Sequence, residues 1–272
     1  MSFVLFQTSL ALYFLATAAY LVFFFKEKAA IRGNARLLFI GAFALHSITI
    51  LVRYFEAGYT PITTHHETIS FFAWGLGCGY LSFCWRYEVK NLGAFVSLLV
   101  LALMTVAAFA SREIVPLSPL LQSGWLPLHA SLALLAYGFF ALAGIGGLMY
   151  LLQERTLKRK RFGLFYSRLP SLETLDKLNH HCLSVGFPLL TMGMITGSLW
   201  AKQALGSYWH WDPKETWTLI TWLLYAGLIH QRFTVGWRGR QAAWLSIAAL
   251  VVARFTFWGV SVFFAGYRGN FS

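Results

Sequence analysis

Phe3-Val-Leu-Phe-Gln-Thr-Ser-Leu-Ala-Leu-Tyr-Phe-Leu-Ala-Thr-Ala-Ala-Tyr-Leu-Val-Phe-Phe-Phe25, followed at once by Lys26-Glu27-Lys28, decides how the whole chain is read. The run carries no charge. As a helix at 1.5 Å per residue it is about 35 Å long, enough to cross a hydrocarbon layer ~30 Å thick. It is longer than the core of a signal peptide and no basic residue precedes it. The expectation is therefore a retained first transmembrane helix with its N-terminus outside.

Seven more runs have the same character, at roughly 37–55, 68–85, 92–110, 130–152, 183–203, 216–233 and 242–264. Only 12% of the 272 residues are charged, with a mean hydropathy of +0.60, where a soluble domain has about a quarter charged. That excludes a soluble fold. The chain is expected to be an all-α integral membrane protein, a single polytopic domain over 1–272. It would have eight transmembrane helices and both termini extracytoplasmic.

Charge placement supports that topology. Sixteen of the 22 lysines and arginines fall in the linkers 26–36, 86–91, 153–182 and 234–241, with Arg232 counted at the edge. Alternation from an outer N-terminus puts all four inside, as the positive-inside rule requires. The net charge of +12 thus reflects membrane orientation and attraction to lipid headgroups, not binding of nucleic acid. Lys158-Arg-Lys-Arg161 is read as such an anchor. Pro170-Ser171, with Leu172, Leu175 and Leu178 at helical spacing, predicts a surface helix leading into the sixth span. Gly75-x-x-x-Gly79 and Gly193-x-x-x-Gly197 predict close helix contacts. Cys78, Cys84 and Cys182 lie in apolar surroundings and form no Cys-x-x-Cys pair, which speaks against a disulfide framework or zinc site. There is no Walker loop or serine triad.

The chemistry concentrates in one outer loop over 205–217, Gly206-Ser-Tyr-Trp-His-Trp-Asp-Pro-Lys-Glu-Thr-Trp217. Asp212, Pro213 and Glu215 fit N-cap, N1 and N3 of the seventh helix. The aromatics have two readings. Tryptophan and tyrosine gather at headgroup depth in any membrane protein, but a belt spreads them over many helix ends. Here Tyr208, Trp209, Trp211 and Trp217 crowd one loop. Alternation at Trp209 and Trp211 suggests an extended stretch presenting two rings to one side. Such a surface suits a flat, rigid, apolar ligand with an anionic edge for Lys214 to meet. Haem is such a ligand.

Imidazole is a common axial ligand of haem iron. His129 sits at the outer mouth of span five, His230 within span seven toward its inner side, and His46 near the middle of span two. An ionisable residue inside a span points to function. The alternative for each is a neutral histidine bonded between helices. His65-His66 and His180-His181 fall in loops or at boundaries, where solvation is expected. Arg254 lies mid-span, where a charged residue is costly.

The loop, continuing Thr218-Leu-Ile-Thr-Trp222-Leu-Leu-Tyr-Ala-Gly-Leu-Ile-His230-Gln-Arg232, resembles the tryptophan-rich WWD signature of haem-handling membrane proteins, in the CcsA/ResC branch of the System II cytochrome c synthase. Gly186-Phe-Pro-Leu-Leu-Thr-Met-Gly-Met-Ile-Thr-Gly-Ser-Leu-Trp-Ala201 and Leu120-Leu-Gln-Ser-Gly-Trp-Leu-Pro-Leu-His129 are similar to further segments of that family. The resemblance implies a subunit of a haem lyase that carries haem b without a covalent tether. It would deliver that haem on the outer face to the Cys-x-x-Cys-His motif of apocytochrome c. It implies His129 as an outer axial ligand and His230 as the intramembrane one. Tyr208, Trp209, Trp211, Asp212 and Trp217 would line the outer site. A CcsB/ResB-type membrane partner would supply the opposing intramembrane histidine. The membrane would be the bacterial cytoplasmic membrane, or the thylakoid for a plastid-encoded chain.

Two positions depart from the family pattern. Leu205 stands where tryptophan often precedes the loop. Arg268 stands where a second outer histidine is expected, and arginine meets a propionate rather than iron. Gly236-Trp-Arg-Gly-Arg240 also resembles HemX-like eight-span proteins, so a haem-binding regulator without ligation activity is the rival reading. From another class, an ion or solute transporter would use Arg254, His46 and His230 as a polar path.

Overall fold

The computed structural model describes residues 1–87, 89–114, 122–160 and 163–259. Among them the chain is helical throughout, with no strand. The helices are α1 (Ser2–Lys26), α2 (Ala29–Ala57), α3 (His65–Arg86), α4 (Leu92–Phe109), α5 (Trp125–Lys158), α6 (Leu164–Arg168), α7 (Leu172–Leu205), α8 (Pro213–His230) and α9 (Arg240–Arg254). Single π-helical turns, Gln231–Val235 and Phe255–Gly259, prolong α8 and α9. Among the described residues each apolar run of the sequence corresponds to one helix, the last of them followed as far as Gly259. Five of them, α1, α2, α4, α5 and α7, are long and apolar enough to cross a membrane. The chain is a multi-pass membrane protein.

Local chemistry places the helix ends. Thr64 and Glu67 form a reciprocal capping box at the start of α3. Gly58 closes α2 in the left-handed region, at φ 74°, with its N–H on the Tyr54 carbonyl. One expectation fails. The surface helix expected around Leu172–Leu178 is not separate but forms the first two turns of α7. Ser171 caps those turns, its hydroxyl accepting from the Thr174 N–H at 3.2 Å. Nothing between Leu178 and Leu183 interrupts backbone hydrogen bonding, so the helix continues. With 34 residues each, α5 and α7 are about 50 Å long and overrun a ~30 Å hydrocarbon layer.

The chain divides into two compact units. The first comprises residues 1–117 and 153–174. Its core is aromatic: Tyr13, Tyr20 and Tyr80 pack edge-on around the buried Phe39. At one end, where α1 and α3 begin and α2 and α4 finish, polar groups satisfy one another. Arg53 donates to Glu67 at 2.9 Å and to the Arg112 carbonyl at 2.9 Å. The Glu67 carboxylate also accepts from the Thr63 and Thr64 amides and the Thr63 hydroxyl. Ser2 and the terminal ammonium meet Glu56. His66, expected in solvent, is buried here, its Nδ1–H bonded to the Ala107 carbonyl at 2.7 Å. His65 is exposed as expected.

The second unit comprises residues 118–152 and 175–272. Helix α5 brings small residues to its neighbours. A Cβ on Gly147 would lie 2.8 Å from the Ala243 carbonyl oxygen of α9, and one on Gly186 of α7 would strike the Phe140 ring of α5. Asn179 bridges α7 to the other two, donating to Ser246 at 2.7 Å and the Ala143 carbonyl at 3.2 Å. At one end Arg232 clamps the turn after α8 to α7. It donates to the Asp176 carboxylate at 2.7 and 3.1 Å, to the Asp176 carbonyl at 2.9 Å and to His180 Nδ1 at 3.1 Å. Asp176 also accepts from the Gly239 amide at 2.8 Å. His180 is therefore a structural partner on α7, not a solvated loop residue.

Gly147→Ala forces α5 and α9 apart and is expected to lower stability by about 1–3 kcal/mol, the usual cost of overpacking. Gly41→Ala, whose added methyl meets nothing, is expected to be neutral or slightly stabilising. Thermal unfolding of the two detergent-purified variants checks the contrast.

Candidate functional site

The tryptophan loop begins where α7 runs out. Gly206, at φ 83°, turns the chain, and Lys202 donates to its carbonyl at 2.9 Å while lying over the Tyr208 ring. The two-ring extended stretch expected from alternation does not form. Trp211 adopts φ 57°, in the left-handed region, so its ring stands edge-to-face to Trp209 at 81° with centroids 5.7 Å apart. A left-handed tryptophan costs on the order of 1–2 kcal/mol and persists only where its surroundings hold it.

Glu215 does the holding. Asp212 caps α8 as expected, its carboxylate accepting from the Glu215 amide at 2.7 Å, with Pro213 in the first turn. The Glu215 carboxylate reaches back past the cap to the amides of His210 and Trp211 at 2.6 and 3.0 Å. Held in this way, the Trp211 ring is 69% exposed and Tyr208 55% exposed. Both are large apolar surfaces open to a ligand. Trp209 is more sheltered, and among the described residues its buried indole N–H has no acceptor. Trp217, one turn into α8, packs edge-on against Phe255 at 4.6 Å.

His129, in the second turn of α5, belongs to the same unit and the same end of it. Its Nδ1 lies 2.6 Å from the Gly193 carbonyl oxygen of α7. A carbonyl only accepts, so Nδ1 carries the hydrogen and Nε2 keeps its lone pair. Lys214 of the loop lies within electrostatic reach of this imidazole. Nearby, Ser123 donates to Gln203 at 2.7 Å, tying the approach to α5 to the end of α7. An imidazole with one nitrogen anchored and the other free is the form in which histidine ligates a metal. The residues fit an axial ligand at the same end of the unit as an exposed aromatic loop. Among the described residues no three His, Cys, Asp or Glu side chains converge into a cage for a bare ion.

The other candidates stand apart from this cluster. Trp222 of α8 donates to Thr191 of α7 at 2.9 Å, which sets the register of the two helices. His129 thus sits toward the start of α8 and His230 at its far end, roughly 15–20 Å away along the axis. Two metal–imidazole bonds of ~2 Å cannot bridge that gap, so the pair cannot share one iron. His230 is exposed, its Nδ1 3.4 Å from the Thr234 hydroxyl. His46 belongs to the first unit and is fully buried. Its Nε2 lies 2.9 Å from the Ser70 hydroxyl and its Nδ1 3.4 Å from the Tyr13 hydroxyl. Arg254 is exposed at the end of α9. Arg268 lies outside the described residues.

Sequence reasoning missed the reach of Glu215 and the role of the glycine pair in α7. Gly193-x-x-x-Gly197 was visible as a helix-contact pattern. That it receives a histidine 64 residues earlier was not.

Residues 62–267 match the protein family described as "Cytochrome C assembly protein". The cytochrome c biogenesis protein CcsA of Guillardia theta is 34% identical over 236 residues, covering 79% of this chain and 78% of the relative. The CcsA of Chlamydomonas reinhardtii is 32% identical over 224 residues, 79% of this chain and 62% of that longer relative. The CcsA of Synechocystis sp. is 30% identical over 281 residues, covering 82% and 84%. Among solved structures, the cytochrome c heme lyase CcmF is similar with a TM-score of 0.64 and 17% identity. That likeness covers 94% of this chain, which spans 46% of CcmF, and it concerns the fold.

The loop geometry has its own test. Glu215→Ala removes the acceptor for two amides and is expected to speed their hydrogen exchange by about tenfold or more, the kinetic equivalent of ~1.4 kcal/mol. Hydrogen-exchange mass spectrometry of peptides covering His210 and Trp211 reads this out directly.

Proposed function

The chain belongs to the cytochrome c assembly protein family, and from that premise we propose that it carries haem b across its membrane and presents it for attachment to cytochrome c. In this reading it is the CcsA/ResC-type subunit of a System II synthase. Helices α1–α5 and α7–α9 cross the membrane, with both termini and the 205–217 loop extracytoplasmic. The π turns carry α8 to Val235 and α9 to Gly259, lengthening two of the three shortest crossings. The membrane is the bacterial cytoplasmic membrane, or the thylakoid for a plastid-encoded chain.

What carries the reading is His129. Its Nδ1–H is committed to the Gly193 carbonyl and its Nε2 is left open, in the same unit as an exposed tryptophan loop bearing Lys214. His129 binds iron, and Tyr208, Trp209, Trp211 and Trp217 wall the macrocycle. Asp212, by capping α8, fixes where the loop stands. Lys214 and Arg268 meet the propionates. When bound, haem supplies the iron and the vinyl edge to which the thiols of a Cys-x-x-Cys-His motif attach. The protein contributes orientation and a grip that releases, with no covalent bond to the ring.

His230 marks a second station on the path, exposed at the far end of α8. A CcsB/ResB-type partner covers that face and supplies the opposing imidazole. His46, with both nitrogens engaged by Tyr13 and Ser70, acts in this reading as a strut of the first unit rather than a ligand.

Purified from haem-supplied cells, the chain is expected to show a Soret band and sharp reduced α and β bands. His129→Ala should lose bound haem more severely than the ~10–100-fold typical of disturbing a ligand's supporting partners. His230→Ala should deplete a separate spectral population. A chain that stays colourless after supplementation overturns the proposal and leaves a solute transporter ahead. Co-expression with a CcsB-type partner and a reporter apocytochrome should yield covalent haem. Bound haem without covalent product points instead to a HemX-like regulator.

A further inference from the structure

We infer that Gly197, together with the Gly193 carbonyl, forms a seat that sets both the tautomer and the aim of the His129 imidazole. The inference rests on the haem-presenting reading and adds to it a positioning residue with no chemistry of its own.

Three features of the contact carry it. First, the bond to Gly193 places the hydrogen on Nδ1, leaving Nε2 as the only nitrogen with a free lone pair. Second, the space beside Gly197 is filled by this one ring. A Cβ there would lie 2.6 Å from His129 Nδ1 and 2.8 Å from Cε1, closer than real carbon contacts allow, and a tight 3.3 Å from Cγ. The ring cannot swing aside without breaking the bond that orients it. Third, α5 and α7 run close at this level. A Cβ on Gly193 would lie 3.4 Å from the Ala133 backbone nitrogen, an ordinary contact distance, so the ring stands between closely spaced helices.

Not every helical glycine is crowded in this way. Gly41 and Gly227 also sit within helices, yet among the described residues a methyl on either meets nothing within 4 Å. The Gly193 carbonyl is also within 3.0 Å of the Thr196 hydroxyl, which has the Met192 carbonyl as a second acceptor at 2.8 Å. The threonine hydrogen therefore has somewhere else to go, and the imidazole keeps its place. An axial ligand aimed in this way enters the site with its lone pair exposed and little rotational freedom to lose.

The test uses the full-length chain in detergent. In haem-free protein labelled with ¹⁵N-histidine, the His129 resonances, assigned by their loss in His129→Gln, are expected to report the Nδ1–H tautomer. Gly197→Ala should shift them to Nε2–H or a mixture. In haem-loaded protein the same variant should broaden the reduced α band and lower occupancy several-fold, while Gly41→Ala changes neither. A Gly197→Ala chain that keeps both the wild-type tautomer and the wild-type bands overturns the seat. A wild-type chain with the Nδ1–H signature that takes up no haem overturns the haem-presenting reading instead.

Should Gly197→Ala not accumulate, His129→Gly supplies the second arm. Free imidazole should restore the bands at a concentration ~5-fold lower than 1-methylimidazole, which cannot donate to the Gly193 carbonyl while ligating iron. Equal rescue by the two compounds overturns the seat.

Discussion

In a hydrocarbon layer no water is available to satisfy a backbone amide or a side-chain dipole, so every polar group must find its partner within the protein. That constraint makes the described chain helical throughout and decides the fate of each polar residue in it. Arg53 and Glu67, and Arg232 and Asp176, are closed pairs whose members answer one another. His46 is closed in the same way between Tyr13 and Ser70. Such groups hold helices in register and have little left to offer a ligand.

Against that background the open groups stand out. His129 has one nitrogen committed and one free, Trp211 turns a strained and mostly exposed ring outward, and His230 ends α8 on an uncovered face. The first two share a unit and an end with Lys214. The function we propose, in which cargo is handed on, calls for this asymmetry: tight support behind each contact and an unsatisfied valence in front. Covalent attachment to the carrier would defeat release, whereas an anchored imidazole and an aromatic wall hold by position.

Glycine is the means by which the second unit achieves both close packing and aim. Gly147 lets α5 meet the backbone of α9, Gly186 accommodates Phe140, and Gly197 accommodates an imidazole where another residue would put a methyl. The pattern small-x-x-x-small usually reads as helix against helix. In α7 one of its members serves a side chain instead.

The sequence by itself determined the class of fold, the approximate positions of the long helices among the described residues and the cap at Asp212, because hydrophobic length and capping are local properties. It also brought out the tryptophan loop and His129, because unusual residues so concentrated are visible without a third dimension. Only the tertiary structure decided that Trp209 and Trp211 cross rather than align, since a left-handed Trp211 depends on two hydrogen bonds to Glu215. Likewise, that His66 is buried, that His180 braces Arg232 and that Gly197 makes room for His129 are facts about partners 41, 52 and 68 residues away. Periodicity within a helix reports which face is apolar, and it carries no information about which distant backbone will be pressed against that face.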